Sequence, residues 1–102
     1  MKVLFALLFG CLPLLAGAQA KLPKDVARFV DNADTCEHFA GESGDNDKAR
    51  QREINQAIDQ TCGPAQRQLK LLRVKYAKQP AIKKVIDAHA NDSVMSFRKQ
   101  AS

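Results

Sequence analysis

The apolar positions of this chain fall into helical stripes separated by turn residues. Val26, Phe29, Val30, Ala33, Cys36 and Ala40 recur at intervals of three and four, the spacing that lines up side chains on one face of an α-helix. Pro23 and Asp25 mark its start, because the first turn has no use for the N–H that proline lacks and a carboxylate suits the positive end of the helix dipole. The run Gly41-Glu42-Ser43-Gly44-Asp45-Asn46 stops it after Ala40. A second helix, capped by Asp45 or Asp47, turns Ala49, Ile54, Ala57, Ile58 and Cys62 inward and leaves Arg50, Arg52 and Glu53 in water.

Gly63-Pro64 then predicts a boundary, with glycine as a left-handed exit and proline forbidding continuation. Pro64 opens a third helix whose inner stripe is Ala65, Leu69, Leu72 and Tyr76. Pro80 breaks the chain again, and a shorter fourth helix carries Ile82, Val85, Ile86 and His89 on one side. Residues 91–102 read either as a turn of helix around Val94 and Phe97 or as a loose tail. With no strand-period alternation beyond a few residues, the predicted fold is all-α: a small bundle of three to four short helices stapled by one disulfide.

Some positions break the pattern. Glu37 falls inside the first stripe while Phe39 falls outside it. Either the helix is interrupted near Asn32-Ala33-Asp34 and restarts in another phase, or Glu37 is partly buried against Arg50, Arg52 or Arg73. On the third helix Leu71 and Val74 point away from the inner stripe, among Arg67 and Lys78.

Residues 1–20 have the form of a secretory leader. Lys2 precedes an apolar run over residues 3–15, broken by Gly10 and Pro13, and Ala18-Gln19-Ala20 offers small residues for cleavage after Ala20. The run falls short of the roughly 20 apolar residues a membrane-spanning helix needs. A rival reading makes Leu8-Phe9-Gly10-Cys11 a lipoprotein site with the anchor on Cys11. Phe9 is bulky for its place there, and the residues after Cys11 stay apolar. The expected organisation is a leader over 1–20, a helical domain over 21–90 and a C-terminal tail over 91–102, with no transmembrane segment in the mature chain and a periplasmic or secreted destination. Loss of Cys11 with the leader leaves Cys36 and Cys62 as an even pair where disulfides persist. On the chain-entropy model, a bridge closing a loop of this length contributes roughly 3.5 kcal/mol.

The net charge of +5 hides an asymmetry: residues 25–59 hold nine acidic and four basic side chains, and residues 60–102 hold two acidic and nine basic. Such a chain folds so that its halves partly answer each other, and the basic surplus faces solvent, lipid phosphates, glycan carboxylates or an acidic protein. The basic residues Arg67, Lys70, Arg73, Lys75, Lys78, Lys83 and Lys84 are accompanied by a single ring, Tyr76, on an inner stripe. Nucleic acid is therefore not the expected partner. Arg67, Lys70, Leu71, Val74 and Lys78 form a candidate interaction face, unless the tail covers it through Val94, Met95 or Phe97.

Glu37, His38 and Glu42, with Asp34 nearby, are metal-capable, yet one histidine among carboxylates is not a zinc spacing. The structural alternative has His38 and Glu42 satisfying backbone groups at the helix end. His89, on the apolar stripe of its helix, reads as a core or boundary residue and not as a ligand. No serine-histidine-acid arrangement and no glycine-rich phosphate loop is present, and bridged cysteines supply no nucleophile. No cofactor is implied and an enzyme is not expected.

With these residues in view, the chain resembles a group of small exported proteobacterial proteins. Their Cys-(Asp or Glu)-His-Phe-x-Gly-Glu signature precedes a helix ending in a second cysteine and a Leu-x-x-Leu-x-x-x-Tyr pattern. The matching residues are Cys36 to Glu42, then Cys62-Gly63, then Leu69, Leu72 and Tyr76. The resemblance implies no activity; it implies that Glu37, His38 and Glu42 act together, as a structural knot or as a site. The function expected is a periplasmic or secreted binding module that meets an envelope protein or an anionic envelope component through its basic face. The alternative is a small metal or ligand site around Glu37, His38 and Glu42. The residue pattern sets no oligomeric state.

Overall fold

Val26, Phe29, Ala33 and Cys36 are buried along one face of α1, Lys24–Ala40, as their spacing requires. This computed structural model describes residues 22–99; the leader, its cleavage site and Cys11 lie outside them, as do residues 100–102. Three further helices follow: α2, Lys48–Lys75, α3, Pro80–His89, and α4, Asp92–Met95. Among the described residues there is no strand, and the fold is all-α with the Cys36–Cys62 disulfide formed.

The boundary expected at Gly63-Pro64 does not exist. The two middle helices are one 28-residue helix with Pro64 in its interior, and no glycine among the described residues takes a positive φ. A proline inside a helix forfeits one backbone hydrogen bond and crowds the preceding turn, so something must hold the helix together. The residue before the dipeptide and its glycine are both held: Cys62 is bonded to Cys36, and Gly63 is buried with the Phe97 ring beside it. The apolar stripe also runs through without a phase change, since Ile54, Ile58, Cys62, Ala65, Leu69, Leu72 and Tyr76 are all three or four apart.

α1 lies antiparallel on the C-terminal two-thirds of α2. Asp25 meets Lys75 and Tyr76, Asn32 donates to Gln68, and Cys36 joins Cys62 with 4.8 Å between their Cα atoms. The bridge therefore ties the last turns of α1 to the middle of α2, where two helix ends were expected. The first turns of α2 project past α1 and are accompanied by the connecting loop. There Gly44 is buried against Gln51, Asp45 takes a left-handed φ of 49°, and Asp47 caps α2 by accepting from the Arg50 N–H at 3.1 Å.

α3 and α4 close the third side. His89 Nδ1 lies 2.8 Å from Asp34 Oδ1, and Arg73 and Lys83 both reach Asp87. Of the two readings of the C-terminal segment, the turn of helix is the one observed. Asn91 caps α4 through Val94 N–H and donates to the Ala33 carbonyl. Gln66 Nε2 donates to the carbonyls of Val94, Met95 and Phe97. Val94 is fully buried, so the packed unit extends beyond residue 90.

Neither expectation for Glu37 holds. α1 is continuous from Lys24 to Ala40, and Glu37 is exposed, its carboxylate without an ion-pair or hydrogen-bond partner among the described residues. Arg50 pairs instead with Glu42 and Glu53, and Arg73 with Asp87. The reason is coverage. The α3–α4 junction reaches α1 at Ala33 and Asp34, and a helix end with a single neighbour buries a narrower face than one with two.

Candidate functional site

The end of α1 presents His38 and Glu42 on its surface. His38 Nε2 is 3.8 Å from Glu42 Oε1, and Glu42 in turn meets Arg50 at 3.3 Å, with Glu53 on the far side of Arg50 at 3.5 Å. The His38 ring stands edge-on to Phe39, their centroids 5.1 Å apart. This is an exposed brace between the end of α1 and the start of α2, and exposed pairs of this kind contribute little to stability, about 0–1 kcal/mol each. Glu37 does not join it. Among the described residues no three histidine, cysteine, aspartate or glutamate side chains converge as metal ligands.

The outward face of α2 has a different character. Leu71 and Val74 are 71% and 79% exposed, because they lie opposite the stripe formed by Ala65, Leu69, Leu72 and Tyr76. The C-terminal segment does fold back, but elsewhere: Val94 enters the core, Phe97 covers Gly63, and Leu71 and Val74 stay bare. The cations from Arg67 to Lys78, the last of them in the turn just past the end of α2, divide into two sets. Arg73 is engaged by Asp87 at 3.4 Å and Lys75 by Asp25 at 2.7 Å. The side chains of Arg67, Lys70 and Lys78 have no ion pair or hydrogen bond among the described residues, and α2 carries no acidic residue after Asp59. Two shallow grooves flank the ridge. One, of about 440 Å³, is lined by Gln66, Leu69, Lys70, Arg73 and Met95; the other, of about 270 Å³, is lined by Asp25, Arg28, Gln68, Leu71, Leu72 and Lys75.

A third cluster, which pattern reading misses, locks the start of α1 to the end of α2. Asp25 accepts from Lys75 Nζ at 2.7 Å, from the Tyr76 hydroxyl at 2.9 Å and from the Val26 N–H at 2.9 Å. The Lys75 contact is the main cause holding the Asp25 carboxyl below its ordinary value, against the opposing effect of burial. Asp25 in turn raises Lys75. Burial, and then the bond to Asp25, push the Tyr76 hydroxyl up. Asp87 is likewise held low, chiefly by Lys83 and then by Arg73. The amphipathic pattern places Tyr76 inside but says nothing of which carboxylate its hydroxyl finds fifty-one residues away.

No family model, curated protein or solved structure matches this chain. Among the described residues no helix is long and apolar enough to cross a membrane.

Proposed function

We propose that this is an exported helical interaction module, periplasmic or secreted, that engages an envelope component through the outward ridge of α2. The observation that carries the reading is the pairing of two largely exposed aliphatic side chains, Leu71 and Val74, with three cations whose side chains have no ion-pair or hydrogen-bond partner among the described residues, Arg67, Lys70 and Lys78. Burying an aliphatic side chain is worth about 1.5–3 kcal/mol, and a helix clamped at Cys62 and Tyr76 presents these two with no backbone left to order on binding. The disulfide supports an oxidising compartment, and the leader expected over residues 1–20 supplies the route. The shape argues for binding over catalysis: the grooves are shallow, and the ridge holds no nucleophile beside a base.

The test is retention on an envelope fraction from the producing cell. The intact chain is expected to bind, and Leu71→Ala with Val74→Ala is expected to lose that binding while keeping its helical circular dichroism. If the double variant retained every partner of the intact chain, the reading would fall.

A further inference from the structure

The three large hydrophobic side chains exposed among the described residues are Leu71, Val74 and Met95, and all three lie on or beside the C-terminal half of α2. Val74 follows Lys70 by one helical turn, and Leu71, next to Lys70 in sequence, faces the second groove. Met95, on α4 and 53% exposed, lines the same groove as Lys70 and Arg73. From this arrangement we infer that the C-terminal half of α2, with Met95, attaches the protein to an anionic phospholipid surface. The inference rests on the proposed interaction ridge and names its partner.

The form of the surface favours lipid over a protein partner. A protein interface is organised on a contiguous desolvated centre with its charges at the rim. Here the aliphatic side chains are interspersed with long cations: Lys70 shares a groove with Met95 and precedes Val74 by one turn, Arg67 precedes Leu71 by one turn, and Lys78 follows in the turn just past the end of α2. A headgroup layer accommodates that mixture, because each aliphatic side chain inserts separately while each ammonium or guanidinium reaches a phosphate at its own depth. The ridge is also convex, with its grooves at its flanks, so it needs no complementary cleft.

Charge points the same way. Asp59 is the last acidic residue of α2, and Asp87, the one acid of α3, is held by Arg73 and Lys83. The exposed carboxylates Glu42 and Glu53 gather around Arg50 near the opposite end of α2. The molecule is thus dipolar along this helix, with its cationic end carrying the exposed aliphatic side chains, and an anionic surface would orient that end toward itself.

Co-sedimentation of the full chain with phospholipid vesicles tests this. Vesicles of phosphatidylglycerol and phosphatidylcholine in equal parts are expected to bind it, pure phosphatidylcholine vesicles are not, and raising the salt is expected to weaken binding. Leu71→Ser with Val74→Ser is expected to lower the partition coefficient at least about tenfold, and Lys70→Glu with Lys78→Glu to abolish binding. Lys48→Glu with Lys84→Glu, the same charge change off the ridge, is expected to lower it less. Absence of binding to phosphatidylglycerol vesicles overturns the inference; so does an unchanged partition for the Leu71 and Val74 variant, or equal losses for the two charge variants. If vesicle binding is absent while envelope retention still depends on Leu71 and Val74, the lipid assignment fails and the interaction ridge stands with a protein partner. If both are absent, both readings fail.

Discussion

Two buried glycines show how differently the same residue can be used. A Cβ on Gly44 would lie 2.8 Å from the Gln51 backbone nitrogen and 2.9 Å from its Cα, whereas a Cβ on Gly63 meets the Phe97 ring at 3.4 Å and Arg67 at 3.5 Å. The first has nowhere to go because α2 itself is in the way. Gly44→Ala is therefore expected to destabilise the fold by about 1–3 kcal/mol in chemical denaturation. Gly63→Ala replaces a helix-interior glycine at ordinary contact distance and is expected to be neutral or to stabilise by up to about 1 kcal/mol. The Asp25 cluster makes a second prediction at this scale. Tyr76→Phe keeps the ring in the core and removes one hydrogen bond, so a loss of about 0.5–1.5 kcal/mol is expected.

The same groups set the pH dependence. Asp25 and Asp87 are held below the ordinary carboxylate value, so the folded state favours their ionised forms. Their contribution is present above pH about 4 and is lost as acid protonates them. Lys75 and Tyr76 are raised, so the folded state favours their protonated forms, and their contribution is lost as pH climbs past about 10. Melting temperatures across pH should fall at both extremes. Asp25→Asn should flatten both limbs, since it removes the acid whose partners are Lys75 and Tyr76.

Among the elements, α4 depends most on side chains from elsewhere. A four-residue helix cannot nucleate by itself, and this one is held by its Asn91 cap and by Gln66 gathering three carbonyls at its exit. Gln66→Ala is expected to loosen residues 94–97 while α1 and α2 stay protected. Hydrogen exchange should show the loss confined to that segment, and trypsin should cut faster after Arg98 and Lys99. Asn91→Ala, which removes both the cap and the bond to Ala33, is expected to cost about 1 kcal/mol. α2 teaches the opposite lesson. Gly63-Pro64 is strong punctuation, yet the apolar stripe passes through it in phase, and a continuous phase is a statement about the packing partner that local breakers do not override.

At the scale of the whole molecule, stability rests on one layer of α1, α3 and α4 against α2, fastened by a single covalent bond. Replacing both Cys36 and Cys62 with alanine is expected to cost about 3.5 kcal/mol by denaturant titration, a large share of what a domain this small has. Mass spectrometry of the protein recovered from its producing cell is expected to show a chain beginning at Lys21 with one disulfide and no free thiol. The helical stripes, the inner residues Ala65, Leu69, Leu72 and Tyr76, the bridged cysteines and the outward turn of Leu71 and Val74 were all legible from spacing, because each depends only on which side of a helix a residue occupies. Glu37 was misread for the same reason: periodicity reports a face, and burial depends on how far the neighbouring helix extends. The partners of Asp25, Gln66 and Asn91 were not legible, since they join positions 28–58 residues apart whose meeting requires the assembled bundle. Whether Gly63-Pro64 ends a helix, and which cations of α2 are left unpaired, are likewise decided only by what packs there, because an ion pair or a clamp is made by distance in space and not by order along the chain.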